Sequence, residues 1–368
     1  MQEEFEREQS EEILRNEEFA AEFAEKERVE KSKTRLRFAA SRAGLASAIL
    51  VAVWMLSIAV VSIVCSVLGA GGEAFYNKYI LVINELTLAV GIAAALPTLL
   101  SVPRVNLHKN KMPFGQLMKI IAIGFGASYI GNWIGSFLLS FWNTSTGNSV
   151  GDELVTLLYD MDPLLMFLGA GVLGPILEEL FFRKLLTDRL RVFGEVTAIL
   201  LPAFLFALFH MSASQLIYAF AFGVIMGYIY CRTGNYWLTA LVHMLFNTVS
   251  GIIPMLFLPK LTAFEVAMME LEASLPADAS TDALVEMMMP LIEEYGPILA
   301  VYGLYSLIVL ALNITGIVLL FKSFKKFKER KGEFSLPFKT SAKTVFKTSG
   351  VIICTVFLGI MTVISLFG

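Results

Sequence analysis

Glu178 and Glu179 with Arg183, then His210, then His243 with Asn247, are polar side chains set in otherwise apolar sequence. An ionised group at the centre of a membrane helix costs roughly 2.5–3.5 kcal/mol on insertion scales, so groups kept there are functional candidates by default. Together they could hydrolyse an amide. That reaction needs a carboxylate to take a proton from water, a group to return a proton to the leaving amine, and N–H donors to hold the developing oxyanion.

Spacing divides the labour. On a helix Glu179 and Arg183 stand four residues apart on one face, within reach of each other. Glu178 lies about 100° around the helix from Glu179, so one carboxylate can be held by the arginine while its neighbour points into a cavity. His210 and His243 are two of only three histidines in the chain, and both fall within the apolar middle of the sequence. The third, His108, sits in a basic loop and is expected to be idle. His243 and Asn247 are again four apart and could donate two hydrogen bonds to one oxygen. Each patch also has a plainer reading. Arg183, Lys184, Asp188, Arg189 and Arg191 would equally mark the end of a membrane span, and a lone histidine on an apolar helix is commonly a packing residue.

The elements that position these groups must be membrane helices. Hydrophobic residues make up 56% of the chain, charged residues 17%, and phenylalanine occurs 29 times; the mean hydropathy is +0.69. Apolar runs long enough, or nearly so, to cross a ~30 Å hydrocarbon core lie at 43–69, 79–102, 118–142, 164–187, 195–211, 214–231, 236–258, 298–321 and 345–367. The predicted fold is all-α, a polytopic transmembrane bundle of about eight or nine spans, because backbone polar groups in lipid must be satisfied within helices or closed barrels. Five regions follow: a charged segment 1–42, membrane helices 43–160, a core of helices 161–258 carrying the polar patches, an acidic extramembrane segment 259–297, and membrane helices 298–368.

Basic clusters at Arg104, Lys109 and Lys111 and at Lys322–Lys331 alternate with the acidic Asp152, Glu153, Asp160 and Asp162. By the positive-inside rule the amino terminus is then cytoplasmic, and the first apolar run would serve as an uncleaved signal anchor. The stretch 3–37, rich in Glu, Lys and Arg, reads as a solvated helix. Cys65, Cys231 and Cys354 lie in or beside apolar runs without C-x-x-C spacing and give no disulfide framework. The pairs Gly131/Gly135 and Gly223/Gly227 would let helix backbones approach closely. The protein is expected in a bacterial plasma membrane, with the bilayer and a membrane-associated substrate as partners and no nucleic acid.

Glu-Glu-x-x-x-Arg, Phe-x-x-x-His and His-x-x-x-Asn in this order resemble the motifs of the CPBP family, the CAAX-protease and bacteriocin-processing intramembrane endopeptidases. The resemblance takes in Gly223, Gly227 and Arg232-Thr-Gly-Asn-Tyr-Trp237, and covers about residues 165–255. It implies that Glu178 with His210 activates water, that His243 and Asn247 stabilise the oxyanion, and that Glu179 and Arg183 support them. It also implies a lipidated or leader-bearing peptide as substrate and catalysis without a cofactor.

Two rival readings stand beside it. Glu178, His210 and His243 would make a three-ligand zinc set with an open fourth position, although no H-E-x-x-H is present. A transporter with a proton relay, or a scaffold or immunity protein, could use the same residues. Geometry discriminates: convergence in one site favours hydrolysis, and scatter along a water path favours transport.

Overall fold

In the computed structural model, residues 2–147, 161–275, 280–324 and 327–367 are described. Asp152, Glu153, Asp160, Lys325 and Lys326 lie outside the described residues. Among the described residues there is no strand. The elements are helices α1 (Gln2–Val67), α2 (Ala70–Leu100) and α3 (Phe114–Thr146). The fourth span, α4, runs Pro163–Phe193, followed by α5 (Glu195–Phe209) and α6 (Leu216–Thr233). Then come α7 (Tyr236–Ser274), α8 (Thr281–Phe324), α9 (Phe338–Val345) and α10 (Ser349–Ile364).

All nine expected apolar runs fall on these helices, but they are not all spans of equal kind. Among the described residues seven helices are long and apolar enough to cross a membrane, and α9 with α10, bent by 70°, brings the number to eight. The run at 195–211 forms only the 15-residue α5, about 22 Å at 1.5 Å per residue, which is short of the hydrocarbon core. The charged amino-terminal stretch and the first span are one continuous helix. From Leu14 to Lys31 its side chains are largely exposed, and it carries neighbouring ion pairs on its own surface, Lys26 to Glu22 at 2.7 Å and Lys33 to Glu30 at 2.6 Å. The acidic region 259–297 is likewise helical where described, as the continuation of α7 and the start of α8.

Small residues set the packing of the core. Gly223 and Gly227 of α6 lie against Ala203 and Ile199 of α5, so a Cβ at either would press on the neighbouring backbone. Gly131 and Gly135 of α3 do the same against Tyr218 of α6 and Ser214, in the loop just before it. Between these contacts sit fully buried Phe181, Phe182, Leu186 and Phe206. Short α5 is therefore walled in by α4, α6 and α10 rather than left to lipid.

Candidate active site

α4 begins at a well-marked cap. Asp162 accepts hydrogen bonds from the Leu164 and Leu165 amides at 2.9 and 3.1 Å, and Pro163 occupies the first turn, where a missing N–H costs nothing. Beyond it the helix alternates between registers. Phe167–Leu173 and Leu180–Thr187 are π-helical, and the α-helical Gly174–Glu179 lies between them. π segments within α-helices concentrate at functional sites, because the extra residue re-aims the side chains that follow. Here the two glutamates end the α-helical piece.

Around them Glu179 pairs with Arg183, as their spacing along the helix allows. Arg183 Nε donates to Glu179 Oε2 at 3.0 Å, with both side chains wholly buried. The other oxygen of Glu179 lies 3.2 Å from His243 Nδ1. On the far edge of the same imidazole, Nε2 stands 3.7 Å from Glu178 Oε2. His243 thus bridges the two glutamates, and Glu178 keeps a side chain 16% exposed. Spacing alone placed His243 with Asn247, and this link to both carboxylates lay beyond it, because it depends on how α7 docks against α4.

His210 enters from the end of α5. Its Nδ1 faces the Phe206 carbonyl at 2.8 Å, a bond in which the ring nitrogen donates, so the imidazole folds back one turn toward the start of its helix. The Phe206 ring then separates the two histidines, with centroids 4.7 Å from His210 and 6.0 Å from His243. Directly after His210 the chain reverses through Met211, whose φ of 48° is unusual for a residue with a side chain.

Asn247 donates through Nδ2 to the Ala170 carbonyl in the first π segment at 2.9 Å. One N–H of its amide remains for another acceptor. The stretch Arg232–Trp237 builds the turn that delivers this helix. Gly234 takes φ 60° to end α6, and the Asn235 side chain accepts from Leu238 N at 3.4 Å to start α7. Arg232 pairs with the buried Glu195 at 2.6 Å. Tyr236 donates its hydroxyl to the Ile176 carbonyl at 2.8 Å, two residues before Glu178. Tyr236→Phe deletes that bond and is expected to lower stability by about 1 kcal/mol and to lower activity with it; thermal melting in detergent and a turnover assay check both.

One candidate escaped the sequence. Glu85 of α2 is buried, accepts from Asn84 Nδ2 at 3.1 Å, and leaves Oε2 without a partner. Its carboxylate rests against Gly174, where an added Cβ would come within 3.3 Å of Oε1, and it interacts electrostatically with Glu178. Gly174 and Glu178 are four residues apart and so share a face of α4. The signal was an acidic residue inside the apolar run 79–102, the same rule that picked out Glu178, but without a neighbouring motif. An unpaired buried carboxylate destabilises, so Glu85→Gln is expected to raise stability by about 1–3 kcal/mol while lowering turnover. A melting curve and an activity assay on the same preparation test that opposition.

Among the described residues no group of three His, Cys, Asp or Glu is gathered to hold a metal ion. Nδ1 of His243 faces Glu179 and Nδ1 of His210 faces a backbone carbonyl, which leaves Nε2 of each ring as the nitrogen a metal would have to use.

Comparison with known proteins bears on the same segment. Residues 160–249 match the family described as type II CAAX prenyl endopeptidase Rce1-like. A protein of Bacillus subtilis (strain 168) named "Putative membrane peptidase YdiL" is 31% identical over 85 residues, which is 23% of this chain and 35% of that protein. The chain therefore matches about a third of that relative's length. No solved structure matches the chain significantly.

Proposed function

We propose that this chain, whose residues 160–249 match the Rce1-like family of type II CAAX endopeptidases, is an intramembrane endopeptidase whose water is activated by Glu178 and His210. The observation that carries the reading is the bridge Glu178–His243–Glu179–Arg183, buried between α4 and α7, with His210 across the Phe206 ring. Relay along a water path would have the groups strung out, whereas these meet in one place.

The steps follow from the groups present. Water bound beside Glu178 gives its proton to that carboxylate as its oxygen attacks the scissile carbonyl. The carbonyl oxygen becomes an oxyanion, held by Asn247 through its second N–H and by His243. Once Nδ1–H is given to Glu179, His243 has a donor left at Nε2 only in its doubly protonated form, and two carboxylates flank that form. Collapse of the tetrahedral species breaks the C–N bond, and the proton on Glu178 passes to the leaving amine. Glu179 and Arg183 hold His243 in place and touch no reacting atom. No serine, cysteine or metal ion enters this reading.

The substrate is a membrane-associated protein or peptide, lipidated or leader-bearing, whose scissile bond is drawn among the helices of a bacterial plasma membrane, with the amino terminus of the enzyme cytoplasmic. Membranes from cells expressing the wild-type or the Glu178→Gln chain, compared by mass spectrometry of peptide termini, test the reading. Termini that vanish with Glu178→Gln support it. Identical terminal peptides in both membranes would sink it in favour of a scaffold. Cleavage lost on chelation and regained with zinc would overturn the metal-free mechanism.

A further inference from the structure

A second polar site lies where α1 passes the bend between α9 and α10. Here a groove of about 390 Å³ is lined by Arg37, Ser41, Arg42, Lys347, Thr348 and Ser349. The two walls are locked together. The Ser41 and Ser349 hydroxyls are 3.3 Å apart, the Gly350 amide donates to Ser41 Oγ at 3.2 Å, and Gly44 packs directly on the Gly350 backbone. The groove is therefore part of the fold and not a chance approach of mobile side chains.

Its charge is one-sided. Among the described residues Arg37, Arg42 and Lys347 make no ion pair, and Glu30, within electrostatic reach of Arg37, is already held by Lys33 at 2.6 Å. Arg42 lies over the Phe38 ring at 5.2 Å, which leaves its N–H groups free to bond an anion. The groove also receives the start of the 16-residue α10, where the side chain of the N-cap residue Thr348 makes no cap bond and, of the amides there, Ser41 Oγ meets only that of Gly350. Cations, hydroxyl donors and a helix amino terminus all suit a phosphate.

Position in the membrane selects the kind of phosphate. The apolar part of α1 begins at Ala43 and that of α10 at Gly350, so the groove sits where both spans leave the hydrocarbon. Below it α10 presents exposed Ile352, Ile353 and Val356 to acyl chains. Beside it the short α9 lies bent by 70° from α10, with Lys339 and Lys343 continuing to Lys347 at every fourth residue and with Phe338 and Phe346 exposed. Lysines and aromatics so arranged fit a helix lying in the headgroup layer. We propose that this groove binds the phosphate of an anionic phospholipid, the headgroup seated between α1 and the α9–α10 bend.

Full-length protein purified in detergent, mixed with phosphatidylglycerol or phosphatidylcholine and read by native mass spectrometry, tests the assignment. Wild type is expected to retain phosphatidylglycerol preferentially. Arg37→Gln, Arg42→Gln and Lys347→Gln combined should reduce that retention about 100-fold, from about 5-fold per charge, the equivalent of roughly 1 kcal/mol each near an anionic surface. Lys347 is exposed, so Lys347→Gln alone gives a folded variant and the single-charge part of the loss. A control with Lys109, Lys111 and Lys119 changed to Gln should bind as wild type. Equal retention of both lipids by wild type, or an equal loss in the control, overturns the proposal. Displacement of phosphatidylglycerol by millimolar inorganic phosphate overturns the lipid assignment in favour of a free anion.

Discussion

Replacing Glu178 by Gln is expected to lower cleavage by about 10³-fold, within the range by which a positioned general base accelerates proton transfer, and to leave the protein as stable as before. The two halves of that expectation come from the same geometry. Glu178 makes no short hydrogen bond, keeps part of its side chain exposed, and has His243 Nε2 3.7 Å away. A glutamine of equal size can occupy the place without breaking a bond that holds the fold. It cannot take a proton from water. The loss should therefore fall on kcat with KM little changed, since the group acts on the transition state and not on substrate binding. Glu179→Gln makes the contrast, because Glu179 holds Arg183 at 3.0 Å and His243 at 3.2 Å, so that variant should lose stability and activity together. Equal melting losses in both variants would refute the separation of roles, and undiminished cleavage by Glu178→Gln would refute its place in the chemistry.

The contrast shows what the amino-acid order made legible and what it did not. Glu179 and Arg183 at i and i+4 state their pairing outright, because the contact lies within one helix. The gathering of Glu178, His210 and His243 could be argued only from the cost of polar groups in lipid, since their contacts run between α4, α5 and α7. Glu85 was overlooked for a related reason. It stands alone in α2, and its relation to Glu178 exists only once α2 packs against Gly174. The π-helical turns either side of the glutamates left no mark in the sequence, because hydrogen-bond register in a membrane helix is settled by packing as much as by residue type. Hydropathy located the membrane helices among the described residues and left the run at 195–211 short of a span, as the 15-residue α5 is, while its apolar composition matches one. Burial inside the bundle demands the same residues as burial in lipid.

Arg183 is where stability and function meet, and its removal gives the second large effect expected. The guanidinium is completely buried, lies 5.4 Å from the Phe206 ring centroid, and leaves Nη1 and Nη2 without partners among the described residues. Arg183→Ala strands the Glu179 carboxylate in an apolar interior with only His243 to meet it. Breaking a buried ion pair from one side costs about 3–5 kcal/mol, whereas replacing both partners by apolar or neutral groups of similar volume is often close to neutral. The double variant Glu179→Gln with Arg183→Met should accordingly melt near wild type, well above Arg183→Ala alone. Activity should not follow. With Glu179 neutral, His243 loses the charged partner that fixes its ring between the glutamates, so the double variant is expected to be stable and slow. Additive melting losses would mean that Arg183 contributes by filling space and not by its charge. Recovery of cleavage along with stability would remove Glu179 from the support of His243 and leave the orientation of that ring to Phe206 and Phe222, whose centroids lie 6.0 and 4.7 Å from it.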